Sequence, residues 1–423
     1  MKKVIILFAL VLLCRNLNAQ WAELNSGVST TLYSISAVSN DYAWACGANG
    51  VVIRTTDGGT TWTNAASPVL SSTMTFYNVQ ANSSTKAFVA GTNSAGDSTF
   101  IFMTLTGGTN WASVFSQAGG FVDGVWTSGG LDGFMFGDPV GGNWSLYQTN
   151  SAGGGWYSVS PSLPQSGSEA GYNNAFVVFG TRVWFGTNSG RIYYSTNSGS
   201  NFTAQNLGVA SDTAMAMCFN QPGLGLVSAN SKLFATTNAG VNWAQISIPG
   251  TQVISGLAGY SLKWFATRGK DIYYSTNQGS SWTLQYTAPG TSTYSEIISS
   301  RVSAGYNIAF YAIRYNGGIS KLLTTTGINK VSGEVPSRFD LMQNYPNPFN
   351  PVTKIKYQVA KNSNVNITVY DLTGKEVSNV INEYHSAGTY EVNFDGSKLT
   401  SGVYFYKMIT NDFSLVKKMT LIK

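Results

Sequence analysis

Apolar and polar residues alternate through Leu32-Tyr33-Ser34-Ile35-Ser36-Ala37-Val38, the period of two expected of a half-buried strand. Ser39-Asn40-Asp41 breaks the pattern as a turn, and Tyr42 to Gly47 resumes it. Ala48-Asn49-Gly50 is a second turn and Val51 to Thr56 a third strand. Asp57-Gly58-Gly59 turns the chain again, and Trp62 opens a fourth strand. The unit is thus four short antiparallel strands joined by Gly/Asn turns. One such sheet cannot bury both of its faces; stacking several around an axis buries them all.

The third turn recurs. Thr55 to Trp62 returns as Thr104 to Trp111, Ser195 to Phe202, Thr236 to Trp243 and Ser275 to Trp282, with a looser copy, one residue longer, at Thr149 to Trp156. The closing aromatics at 62, 111, 156, 202, 243 and 282 are 49, 45, 46, 41 and 39 residues apart, the interval of a repeat array or propeller. Asp57, replaced by Asn197, Asn238 and Asn277, can bond its own backbone two residues on. Gly59, Gly108, Gly199, Gly240 and Gly279 suit positive φ. Trp62, Trp111, Trp156, Trp243 and Trp282 read as apolar plugs between sheets. Recurrence in every unit argues for a structural role, because a site is needed once.

A seventh unit is implied by Glu296 to Ser299, Ile308 to Ile313 and Ile319 to Thr325, which end in a worn phrase without its Trp. Trp21-Ala22-Glu23-Leu24 supplies the missing strand from the other end of the chain. The expected fold is all-β: a seven-bladed β-propeller closed by the N-terminal strand, leaving no long exposed edge. After a linker at 331–338, five alternating segments follow: Lys354 to Val359, Asn364 to Tyr370, Gly388 to Phe394, Gly402 to Thr410 and Phe413 to Ile422. They predict a small Ig-like β-sandwich over 339–423.

Charge adds two exclusions. Lys2-Lys3, the apolar run Val4 to Leu13 and Leu17-Asn18-Ala19 read as a secretory signal over 1–19, cleaved between Ala19 and Gln20. Without it, residues 20–330 hold 12 Lys+Arg against 11 Asp+Glu, and 331–423 hold 10 against 8. Nothing here neutralises a phosphate backbone, so no nucleic-acid partner is expected. No later segment is apolar for the 18 residues or so of a membrane span, so no transmembrane segment is expected. Cys46 and Cys218 fall in distant units and read as small buried hydrophobes.

The recurring phrase resembles the Asp-box of BNR-repeat families, Ser/Thr-x-Asp-x-Gly-x-x-Trp, although only Asp57 keeps the acid. Residues 20–330 accordingly look like sialidase-, sortilin- and photosystem-assembly-factor-type propellers, families whose functions differ. The tail resembles the type A C-terminal sorting domain of the type IX secretion system. The matching residues are Asn344-Tyr345-Pro346-Asn347-Pro348-Phe349-Asn350-Pro351, Val369 to Val377 with Gly374, Ser401 to Tyr406 with Gly402, and Lys417-Lys418 to Lys423. That resemblance implies recognition of 339–423 by type IX machinery and export through the periplasm to the outer surface or beyond. A Pro-studded, polar segment also suits a receptor-read address that is ordered before binding.

Chemistry is sparse. The one histidine, His385, lies in the tail, which leaves the propeller without Ser-His-Asp or Cys-His catalysis and without a His-based metal site; no cofactor is expected. Glycoside hydrolysis needs only two carboxylates. Asp132 and Asp138 flank a strand and could point at one end of the ring; turn and capping duty is the commoner fate of Asp beside Gly and Pro. The pairs Tyr193-Tyr194 and Tyr273-Tyr274 repeat and suggest inter-blade packing, whereas the irregular loops Pro161 to Tyr172 and Ala288 to Tyr294 suit binding. The expected function is an exported, non-catalytic propeller that binds protein or glycan at or outside the cell surface. The alternative is a secreted glycoside hydrolase of the Asp-box type.

Overall fold

The computed structural model describes residues 21–209, 212–260, 263–300, 308–324, 328–332, 336–361, 363–385, 387–397, 399–410 and 412–423. The expected signal, with Ala19 and Gln20, lies outside the described residues.

Among the described residues, strands form nine four-stranded sheets, seven of them propeller blades. Blade one runs outward as Leu32–Ala37, Ala43–Gly47, Val52–Thr55 and Thr63–Asn64. Blades two to six begin with the inner strands Thr75–Ala81, Val122–Thr127, Gly171–Phe179, Ala214–Gln221 and Ile254–Tyr260. Each inner strand packs against the next, and that of blade seven, Tyr294–Ser299, packs back against blade one, so the ring closes. Blade seven takes its outer strand from the start of the chain. Trp21–Leu24 pairs antiparallel with Ile319–Thr324, Trp21 opposite Leu322.

The recurring turn is built differently from the sequence expectation. Asp57 reaches four residues on, not two: its carboxylate accepts from the Thr61 N–H at 2.9 Å and the Thr61 hydroxyl at 2.6 Å. Asn197, Asn238 and Asn277 likewise accept from the N–H of residues 201, 242 and 281. The inner anchor is the hydroxyl that opens the phrase. Thr55 accepts from the N–H of Asp57 and, at 2.8 Å, from that of Gly59; Thr104, Thr149, Ser195, Thr236 and Ser275 repeat this at their own glycines. Gly59 has φ 91°, and a Cβ on Gly199 would collide with Phe134 of the preceding blade. The glycine is therefore needed twice, for the turn and for the seam.

The tryptophans fill those seams. Trp111 meets Trp44 of blade one edge-on at 6.2 Å and donates to Ala65 O at 2.8 Å. Trp282 packs on Leu226 and Trp264, and Trp21 on Phe265 of blade six.

The tail is a two-sheet sandwich. Its first sheet orders Ile328–Ser332, Gly388–Asp395, Val352–Val359 and Asp340–Leu341; its second orders Glu376–His385, Ser363–Tyr370, Gly402–Ile409 and Ser414–Leu421. Ile328–Ser332 crosses the boundary expected at 330 and belongs to the sandwich by its pairing with Gly388–Asp395. Glu376–His385 escaped the alternation test because two register shifts leave Val377 and Val380 as extra residues, breaking the period of two.

Candidate functional site

The carboxylates singled out in the sequence are not brought together. Asp132 lies exposed in the turn before Gly133–Val140, and Asp138 lies near the far end of that strand, so the two sit at opposite ends of the blade. Asp138 faces Asp123 instead. Its Oδ1 accepts from the Gly171 N–H at 2.7 Å, and burial pushes its carboxyl up. Asp123 is fully enclosed, held well above the carboxylate range first by burial and then by Asp138, and its Oδ2 has no hydrogen-bond partner. This is a carboxyl pair at the seam between blades three and four, Asp123 enclosed and Asp138 half-buried. Glu169, nearby in sequence, is also tied inward, to Arg191 at 3.2 Å and to the Tyr193 hydroxyl at 2.8 Å.

Sequence reading missed a feature common to every blade. All seven inner strands carry a register shift just after they begin. A bulge re-aims the extra side chain, and such bulges favour rims and functional sites. The re-aimed residues include Tyr33, Tyr77, Asp123, Met215, Ser255 and Ser295. The signal was present: Leu32-Tyr33-Ser34-Ile35 and Phe76-Tyr77-Asn78-Val79 place apolar residues at positions one and four, where strict alternation has one and three.

The bulges gather an aromatic collar at one mouth of the central channel. Tyr33 packs on Tyr77 at 4.8 Å, Tyr77 on Phe121 at 4.6 Å, and Tyr315 approaches Tyr33 at 6.2 Å. Tyr172 adjoins Tyr315; burial, then that neighbour, pushes its phenol up to about 12. Tyr315 is 42% exposed and the others half-buried. The loop Pro161 to Tyr172 delivers Tyr172 to this collar.

Beneath the collar, Asn174 reaches across the axis at φ 63°. Its amide donates to Tyr33 O at 3.2 Å and accepts from the Asn78 amide at 2.6 Å, while Asn78 accepts from the Val125 N–H at 3.2 Å. Four blades are pinned by one small polar network. Below it lies a cavity of about 180 Å³ bordered by Ser34, Asn78, Gln80, Asn174, Glu296 and Trp126, among others. Glu296 accepts from the Ile35 N–H at 2.7 Å, and burial pushes its carboxyl up to about 8.

The tail motif forms a second surface. Asn344 and Phe349 are buried. The Asn344 side chain donates to Pro346 O and to the Thr353 hydroxyl, both at 3.0 Å. Between these two anchors Tyr345-Pro346-Asn347-Pro348 stands out as a knuckle, Tyr345 80% exposed. Asn347 accepts from the Thr420 N–H at 2.9 Å, so the knuckle borders the last strand, which carries Lys417 and Lys418. Gly374, at φ 81°, makes the Asp371 turn, and Gly402 starts the strand paired to Leu421.

Fold and surfaces together define an exported β-propeller with a C-terminal address. Residues 343–423 match the family described as the secretion system C-terminal sorting domain, and residues 14–158 match that of photosynthesis system II assembly factor YCF48. The sorting domain directs export by type IX secretion to the cell surface or outside. No curated protein matches the chain. Among solved structures, it is similar to YCF48 bound to a D1 peptide (16% identity, TM-score 0.58, 73% of this chain and 98% of that one). It is similar also to YCF48 from Cyanidioschyzon merolae (16%, 0.55, 72% and 99%) and to the WD40 β-propeller domain of Doa1 (10%, 0.54, 73% and 97%). At these identities the likeness is one of fold. Among the described residues no helix is long and apolar enough to cross a membrane.

Proposed function

We propose that this protein is a non-catalytic binding propeller that holds a protein or glycan ligand at or outside the cell surface, after export through the type IX machinery. The observation that carries the reading is the collar of Tyr33, Tyr77, Phe121, Tyr172 and Tyr315 at one mouth of the channel. Partly exposed aromatics on rigid strands give large contact area at little cost in side-chain entropy. A propeller of the same fold has been seen holding a D1 peptide, so the architecture can accept a polypeptide segment. The bond of Asp138 to the Gly171 N–H and the enclosure of its neighbour Asp123 support a packing role for that pair rather than the glycosidase alternative. The exposed knuckle Tyr345–Pro348 beside Lys418 is the proposed contact of the address with the export machinery.

A protein and glycan array probed with the full chain tests the reading. Binding that disappears in a Tyr33→Ser/Tyr77→Ser variant with an unchanged melting temperature supports it. Turnover of any arrayed glycan, abolished by Asp138→Asn, sinks it in favour of a hydrolase.

A further inference from the structure

We propose that the central channel below Asn174 is a subsite for one neutral sugar ring, the end residue of a glycan. The inference rests on the binding reading above and names the ligand class it leaves open.

Size comes first. A cavity of about 180 Å³ is the space of roughly six waters at about 30 Å³ each, enough for a single pyranose and too small for a folded peptide turn. The chemistry of its wall comes second. Ser34, Ser36, Asn78, Gln80, Asn174 and Ser299 offer hydroxyls and amides, and among the described residues no Lys, Arg or His borders it. The one ionisable group, Glu296, is largely uncharged at neutral pH. An anion would find no cation among these residues. An apolar guest would exclude water from the donors and acceptors that the wall leaves over, which is unfavourable. A ligand with many hydroxyls and no charge satisfies the wall.

One further observation points to a guest, beside the Gln80 amide that borders the cavity from a side chain more than nine-tenths buried. Trp126, near the end of its inner strand, borders the same cavity half-buried. It belongs to no core cluster and no ring pair among the described residues, unlike the seam tryptophans. An indole so placed fits the apolar C–H face of a sugar, with Val178 and Ile298 elsewhere on the same wall, while the hydroxyls turn to the amides.

Ordered water alone would suit polar walls too, so the experiment separates the two. The full chain is titrated with glucose, galactose, mannose, xylose and N-acetylglucosamine, and with glucuronate and sialate as charged controls. Calorimetry and tryptophan fluorescence are the readouts. The proposal expects saturable binding of at least one neutral sugar with a Kd on the order of 1 mM or tighter. It expects at least tenfold weakening in Gln80→Met and in Trp126→Ala, with the fluorescence change lost in the latter. Leu284→Ser, exposed on the outermost strand of blade six, should leave this affinity unchanged. If Gln80→Met does not fold, Trp126→Ala decides, because its side chain is only half-buried. Lack of saturation by every neutral sugar, preference for a charged one, or indifference to Trp126→Ala overturns the subsite. Collar-dependent array binding would survive that outcome and keep the broader reading alive; loss of both would remove the reading itself.

Discussion

At the residue scale, the repeat depends on its least conspicuous member. The acid that gives the Asp-box its label is exposed at Asp57; hydrogen bonds from Thr61, then Thr55, hold its carboxyl at about 2, but they lie at the surface. Thr55 is buried and is the acceptor for the enclosed Gly59 N–H. Thr55→Val keeps the shape and orphans that donor, so it should cost about 1–3 kcal/mol by urea denaturation. Asp57→Ser should cost less; the reverse order would show that the surface bonds dominate. The tail holds a second residue-level lever. His385 is buried beside Tyr357 and Tyr390, and burial lowers its pKa to about 4. Its unfolded value of about 6.5 is higher, so the unfolded chain takes up the proton first as pH falls. The neutral-His contribution is therefore complete above about pH 6.5 and shrinks as pH falls to about 4, by up to about 3 kcal/mol. Thermal melts across that window should show the sandwich weakening, and His385→Phe should flatten the slope.

At the element scale, the ring is as strong as its closing strand. Trp21–Leu24 contributes Trp21 to the blade-six seam, and Glu23 to a cluster with Arg314, Ser320 and the Tyr286 hydroxyl. Trp21→Ala should cost about 3–5 kcal/mol, as for other buried Trp truncations, and should raise amide exchange in Ile319–Thr324 ahead of the other blades. Uniform exchange across blades would mean that closure is not local to this seam. These elements were legible for a plain reason: alternation, Gly/Asn turns and a fixed interval are local signals, and Trp21 stood out because one blade lacked its aromatic. The collar and the polar network beneath it were not legible. The collar joins Tyr33 to Tyr315 and the plug joins Asn174 to Asn78, contacts that exist only once the ring closes. Alternation also hides bulges, which is why Tyr33 read as an ordinary strand residue and why Glu376–His385 was passed over. Asp132 and Asp138 illustrate the converse: flanking one strand in the sequence, they looked like a pair, and the length of Gly133–Val140 sends them to opposite ends of the blade.

At the scale of the whole molecule, two bodies divide the work, and the structure says where to cut. The sandwich buries its own core from Leu341 to Leu421, drawn from both of its sheets. Propeller closure uses residues from Trp21 to Thr324 and asks nothing of the tail. Removal of 339–423 alone would leave Ile328–Ser332 without its partner strand Gly388–Asp395, exposing an unpaired edge prone to association. Deletion of 328–423 is the cleaner test. That variant should keep the cooperative melt of the propeller and accumulate in the periplasm. Tyr345→Ser in the full chain, at an 80% exposed side chain, should leave both melts intact and lower the amount outside the cell. The buried neighbour Phe349→Ser should lower export too, but by unfolding the sandwich, which its melt would reveal. Fractionation that finds the 328–423 deletion outside the cell at the level of the full chain would show that the propeller carries its own route out, and the tail would lose its role as the address.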